Sequence, residues 1–156
     1  MHATWSRQGQ QPLVEVTGGR KSVKVFGCID IVSSRFHYKM DEVFNAKTYL
    51  AFLEEVVRRR YRKHIFYIQD NASYHKDRTV WEWFKDNRKR LEVFNLPPYS
   101  PEFNAAEPLW KYTRKCGTHN KYFRDKDAII TAITGVFNDM QNNPDQIRGY
   151  LKPFAY

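Results

Sequence analysis

Leu96-Pro97-Pro98-Tyr99-Ser100-Pro101-Glu102-Phe103-Asn104-Ala105-Ala106-Glu107-Pro108-Leu109-Trp110 is the stretch around which the rest of the chain is arranged. Pro97, Pro98 and Pro101 remove backbone donors and fix φ, so a stiff loop must follow the apolar run Leu91 to Leu96. A helix is then due from Ala105 to about Cys116. Asn104 is a good N-cap, Glu107 stands at capping-box spacing, and Pro108 falls in the first turn, where a missing N–H costs little. One carboxylate is thereby held at the mouth of a helix, just beyond a strand. The second fixed point is Ile65-Phe66-Tyr67-Ile68-Gln69-Asp70-Asn71, which reads as a buried strand ending in an Asp-Asn turn. Two carboxylates, each just past a strand, point to a site outside the carboxyl ends of a sheet.

Outward from these points the pattern is mixed α/β. Residues 1–20 are polar and Gly-rich except for Trp5 and the alternation Leu13-Val14-Glu15-Val16, and read as a loop or hairpin arm. Ser22 to Val32 alternates as a strand with Val23, Val25 and Ile29 on one face. Ser33-Ser34 turns the chain into an antiparallel strand, Arg35 to Met40. Asn45 can cap a helix from Ala46 to about Tyr61, whose Tyr49, Phe52, Leu53, Val56 and Val57 recur at three and four. A helix from Lys76 to Asn87 should carry Val80, Trp81 and Phe84 inward. A last helix, Lys126 to Met140, shows Ile129, Ile130, Ile133, Val136 and Phe137 on one side, and the tail beyond it reads as irregular.

Composition narrows the partners. The chain has 156 residues, enough for one domain, with Lys+Arg 26 against Asp+Glu 17 and a net charge of +9. Such a surplus favours a polyanion, nucleic acid or an anionic membrane. No apolar run approaches the ~20 residues that span a bilayer, so no membrane role is expected. Cys28 and Cys116 are too few for a disulfide framework and read as ordinary thiols of a reducing cytoplasm. The basic residues fall in runs: Arg58, Arg59, Arg60, Arg62, Lys63 and His64; Lys85 to Arg90; and Lys111, Arg114, Lys115, Lys121, Arg124 and Lys126. A charge run is often only a solvated face. Three in one chain, expected near the carboxylates, point to contact with a phosphate backbone.

Asp70-Asn71-Ala72 with His75, followed by Leu96 to Asn104, Glu107 and Trp110, closely resembles the DDE transposases, in particular the bacterial insertion-sequence branch of the mariner-like superfamily. Trp5 and Gly9 resemble that branch's Trp-x-x-x-Gly segment, and Thr118-His119-Asn120 with Phe123 extends the likeness towards the carboxyl end. The resemblance implies a ribonuclease H-like fold: a mixed five-stranded sheet, ordered three-two-one-four-five, flanked by helices. It also implies DNA transposition, with transposon ends and target DNA as partners, a homodimer, and a bacterial cytoplasm or nucleoid as location.

The family's chemistry is phosphodiester cleavage and strand transfer by three carboxylates holding two Mg²⁺ or Mn²⁺ ions. By resemblance Asp70 is the second carboxylate and Glu107 the third, with Asn71, His75 and Asn104 around them. Taken singly, each has an ordinary alternative: a turn or capping Asp, a capping-box Glu, a solvated His, and two Asn that shape a turn and a cap. Arg58, Arg59, Arg60, Arg62, Lys63, Lys111, Arg114 and Lys115 are the DNA-contact candidates. The first catalytic Asp belongs upstream of the Trp5 segment, so the domain reads as N-terminally truncated and, alone, inactive. Asp30 ends a strand but does not match a triad position. Ala105 and Ala106 also depart from the family pattern. A retained fold without the triad, repurposed for binding DNA, is the alternative function. Without its first strand the sheet leaves a slot between Ser22–Val32 and Ile65–Gln69, to be filled by Leu13–Val16 or by a strand from a second copy.

Overall fold

The computed structural model describes residues 22–60 and 62–154. The Trp5 segment and the Leu13–Val16 stretch expected to fill the slot lie outside the described residues.

Alternation of side chains makes the first unit a two-faced hairpin. β1 (Lys24–Asp30) pairs antiparallel with β2 (Arg35–Asp41), from Lys24 opposite Asp41 to Asp30 opposite Arg35. The connecting turn holds buried Ser34 at φ 54°. Phe26 and Cys28 point to one face. Val25 and Ile29, with Phe36, Tyr38 and Met40, point to the other. Burial drives the Cys28 thiol up to about 12, which leaves it unreactive.

Asn45 starts α1 (Ala46–Arg59) with a full capping box. Its side chain accepts from the Thr48 N–H at 2.9 Å, and its own N–H donates to Thr48 Oγ1 at 3.2 Å. The buried stripe Tyr49, Phe52, Leu53 and Val56 faces both Phe26 of the hairpin and the next strand pair. β3 (Ile65–Gln69) and β4 (Leu91–Asn95) run parallel, in register from Ile65 beside Leu91 to Gln69 beside Asn95. Between them a 3₁₀ turn, Ser73–Lys76, precedes α2 (Arg78–Asp86). The helix expected from Lys76 starts two residues later because the Asp77 side chain caps it, accepting from the Thr79 N–H at 2.8 Å. Val80 and Phe84 are buried as expected, but Trp81 is 41 % exposed. With Val80 and Phe84 defining the inner face at i and i+4, the i+3 position, Trp83, joins it and Trp81 falls outside.

The expectation that Ile65–Gln69 is buried holds for one face only. Ile65, Tyr67 and Val93 pack against α1 and α2, whereas Phe66, Ile68 and Phe94 are 68 %, 57 % and 46 % exposed. Parallel strands are ordinarily covered on both faces. Among the described residues the strands form two pairs, β2–β1 and β3–β4, with no ladder between β1 and β3. The antiparallel and the parallel pair are each pairings that a three-two-one-four-five order calls for, but the expected single mixed sheet is not formed among the described residues.

The remaining helices cover the hairpin's other face. α3 (Glu107–Thr113) runs into a π-helical turn, Arg114–Thr118, closed by the His119 N–H on the Arg114 carbonyl at 2.7 Å. α4 (Lys126–Asn142) is capped by Asp125, and α5 (Pro144–Leu151) follows directly. The tail expected to be irregular is therefore a helix. Pro144 occupies its first turn, where proline is preorganised, and Ile147 and Leu151 form a fully buried i, i+4 pair. Phe36, Leu109, Ile133, Val136, Phe137, Met140 and Ile147 form this second core.

α3 is set on the hairpin by the approach of Trp110 to Gly27. A Cβ at position 27 would lie 2.5 Å from Trp110 Cη2 and 2.9 Å from Cζ2. Gly27→Ala must therefore displace the indole and, as overpacking, should destabilise the protein by about 1–3 kcal/mol. At roughly 2–4 °C per kcal/mol the melting temperature should fall by about 2–12 °C, read by circular dichroism. An unchanged melt would show that the Trp110 contact does not seat α3.

Candidate functional site

Asp70 leaves the carboxyl end of β3 and enters the turn before Ser73. Its Oδ1 accepts from the Ala72 N–H at 3.1 Å and lies 3.0 Å from His75 Nδ1, which is also 2.9 Å from the Asp70 carbonyl oxygen. Because both partners are acceptors, Nδ1 carries the proton and donates to them. His75 is 7 % exposed and wedged between the Tyr49 and Tyr74 rings, at 4.3 and 4.5 Å. It is buried against the core rather than a solvated helix-start residue. Its hydrogen bond, aided by the Ala72 N–H and opposed by burial, holds the Asp70 carboxyl below the usual carboxylate range.

A polar network under the turn was not read from the sequence. The Tyr49 hydroxyl donates to Gln69 Oε1, and Gln69 Nε2 donates to Asn95 Oδ1 at 2.8 Å. Asn71 Nδ2 donates to the Leu96 carbonyl at 2.5 Å, and the Leu96 N–H to the Gln69 carbonyl at 2.8 Å. The signal was present: Gln69 and Asn95 are polar residues ending two otherwise apolar strands. These bonds clamp the Asp70 turn to the start of the proline loop, which leads to Glu107.

The proline loop delays the helix. Pro101–Phe103 forms a 3₁₀ turn, and Asn104 Oδ1 accepts from the Ala106 N–H at 3.0 Å instead of capping the third helical residue. The expected Asn104–Glu107 capping box is therefore absent, and α3 starts at Glu107 rather than Ala105. The half-buried Glu107 carboxylate is left outside the cap. Tyr99 at the loop tip has φ 57° and a fully exposed ring, a left-handed conformation unusual for a bulky residue.

Asp30 is spent elsewhere. Oδ1 accepts from the Val32 and Ser33 N–H groups, each at 3.0 Å, and Oδ2 pairs with Arg60 Nη2 at 2.7 Å. Burial raises its pKa, but the Ser33 bonds and Arg60 outweigh that and hold it low. Arg60 is thus engaged by Asp30 rather than presented to solvent with its neighbours. Lys111, Arg114 and Lys115 are exposed on α3 and its π turn. Arg58, Arg59, Arg62 and Lys63 are exposed too, but they precede β3, at the end opposite Asp70, so the expectation that this run lies near the carboxylates is corrected. Among the described residues no three His, Cys, Asp or Glu side chains are grouped to hold a metal ion. No described helix is long and apolar enough to cross a membrane.

The depressed Asp70 value has a stability consequence. Its contribution is fully present above the unfolded value of about 3.9 and is lost as pH falls through the lower folded value. Urea unfolding at stepped pH should show Asp70→Asn less stable than the parent above about pH 4, the gap closing as the solution is acidified. A gap constant down to the acid limit would disprove the His75–Asp70 coupling.

A family model described as DDE superfamily endonuclease matches residues 1–130. The Tcb2 transposase of Caenorhabditis briggsae is 28% identical over 107 residues, covering 66% of this chain and 38% of that protein. The insertion element IS630 uncharacterized 39 kDa protein of Shigella sonnei is 28% identical over 120 residues, 76% of this chain and 34% of that protein. The chain thus spans between about a third and two-fifths of these relatives' length. The catalytic domain of the Mos1 mariner transposase superposes with a TM-score of 0.63 at 15% identity, covering 85% of this chain and 72% of that one. The Mos1 mariner paired-end complex with Mn gives 0.58 at 17%, covering 98% and 51%. At such identities these structures establish the shared ribonuclease H-like fold. The extent of the family match and the strand–turn–helix placement of Asp70 and Glu107 lead to one conclusion: the chain belongs to the DDE superfamily endonuclease family.

Proposed function

We propose that the chain is the catalytic portion of a DDE transposase and serves DNA transposition by metal-dependent cleavage and joining of DNA strands. The observation that carries this reading is the Asp70 carboxylate, presented at the carboxyl end of the parallel pair and held by a hydrogen bond from the buried His75. Asp70 and Glu107 are hard oxygen donors, suited to Mg²⁺ or Mn²⁺ with water completing the shell. When bound, such a cation polarises a phosphodiester oxygen and acidifies a bound water. Two carboxylates fit one weakly held cation and do not by themselves supply the three-carboxylate set that holds a metal pair.

In this reading the chain's own residues position and neutralise. His75 fixes the Asp70 rotamer, and Asn71 ties its turn to Leu96, so that Asp70 and Glu107 converge across the proline loop. Lys111, Arg114 and Lys115 meet phosphates beside them, and a second copy completes the working assembly.

Among the described residues no three such side chains are grouped and Asp30 is committed to Arg60, which favours a second reading: a module that retains the fold for binding DNA without cleaving it. Manganese titration of the chain, followed by the electron paramagnetic resonance of free Mn²⁺, separates the two. The first reading expects one site with a Kd on the order of 0.1–1 mM, abolished by Asp70→Asn and by Glu107→Gln. Absence of any site would establish the binding module, and two tight sites would show that a third carboxylate joins the pair.

A further inference from the structure

Two basic runs that the sequence keeps apart are joined by the fold. Arg58 and Arg59 end α1 and Lys63 follows it, while Arg88 and Lys89 lie in the turn between α2 and β4. The Ile65 N–H donates to the Arg90 carbonyl at 2.9 Å, Arg90 Nη2 to the Val57 carbonyl at 3.3 Å, and His64 Nδ1 lies 3.3 Å from the Lys89 carbonyl. Both runs therefore sit on one surface, at the amino ends of β3 and β4. Asp70, Asn71 and Leu96 sit at the carboxyl ends. Four steps of about 3.3 Å separate the two ends of a five-residue strand, or about 13 Å.

The surface keeps its charge. Of the nearby carboxylates, Asp30 pairs with Arg60 at 2.7 Å, Glu55 with Lys39 at 3.0 Å, and Glu92 faces His64 at 4.0 Å, while Glu54 beside Arg58 and Asp86 at the end of α2 leave the cations in excess. Arg58, Arg59, Lys63, Arg88 and Lys89 are all exposed. The platform is also rigid, because the Arg60–Asp30 pair ties the end of α1 to the hairpin turn and Arg90 ties the α2–β4 turn to α1. Cations spread over an open surface match an extended polyanion better than a small anion, which needs converging donors.

The geometry points to a second DNA-contacting surface, formed by Arg58, Arg59, Lys63, Arg88 and Lys89, that grips the phosphate backbone of duplex DNA at the end of the sheet away from the carboxylates. The inference rests on the DNA role proposed above and adds where the duplex is held. At 3.4 Å per base pair, the gripped phosphates lie about four or more base pairs from the reacting one, or on another duplex. Contacts of this kind orient DNA without reading its sequence.

The test is fluorescence anisotropy of a labelled 30-base-pair duplex of arbitrary sequence, titrated with the whole chain in EDTA over a salt series. Each lost phosphate contact lowers the slope of log K against log salt by about 0.9. R58S/R59S/K63S/K89S should reduce the slope by about 2–4 and weaken binding at least about tenfold at fixed salt. The charge-conserving R58K/R59K should retain the parent slope. A parent slope in the quadruple variant, with an unchanged melting curve, would overturn the second surface. If the quadruple variant fails to fold, the single variants K63S and K89S decide, each expected to lower the slope by about 0.9; no change in either also overturns it. EDTA keeps the metal reading separate: loss of cleavage with a normal slope response refutes catalysis alone.

Discussion

The apolar stripe of α1 is the contact on which the rest of the structure depends. Among the described residues no strand ladder joins the hairpin to the parallel pair, so side chains must do it. Tyr49, Phe52, Leu53 and Val56 meet Phe26 of β1 on one side and Val80, Phe84 and Leu91 on the other. Phe26 stacks on Phe52 at 5.6 Å, and Phe26 and Tyr74 meet edge to face at 5.8 Å. Burying each such side chain is worth about 1.5–3 kcal/mol, enough for a handful of them to hold two sheets in place of hydrogen bonds.

That same stripe reaches the site. Tyr49 is 2 % exposed and packs with Phe26, yet its hydroxyl is bonded to Gln69 and its ring lies against His75. Burial drives the Tyr49 phenol far up, so it stays a neutral donor. Gln69 passes the constraint to Asn95, and His75 passes it to Asp70. The position of the carboxylate is therefore set by the core and not by the turn alone. A satisfied polar network in a low-dielectric interior specifies one arrangement, because any slip strands a buried donor.

Charge is divided along the strands. The carboxyl ends of β3 and β4 carry Asp70 and lead to Glu107, while their amino ends carry arginines and lysines from α1 and the α2–β4 turn. Asp30, superficially another strand-end carboxylate, is drawn to the second group by Arg60. Strand direction thus separates the groups that would handle a reacting phosphate from those that would only hold a backbone.

Local chemistry was legible in the sequence wherever a short stretch decides its own conformation. The Asn45 cap, the strand Ile65–Gln69, the stiff loop after Leu96 and the face formed by Val23, Val25 and Ile29 all follow from neighbours a few residues away. The candidate carboxylates were legible for the same reason, since their motifs are local. What only the tertiary structure decided is everything that depends on which surfaces meet. Asn104 capped one residue early because the 3₁₀ turn before it changed the entry of the chain, and Trp81 lost its place inside to Trp83. The tail became a helix because Ile147 and Leu151 had a core to enter. Arg58–Lys63 moved away from Asp70 because a strand has two ends, and sequence proximity does not say which end a run will occupy.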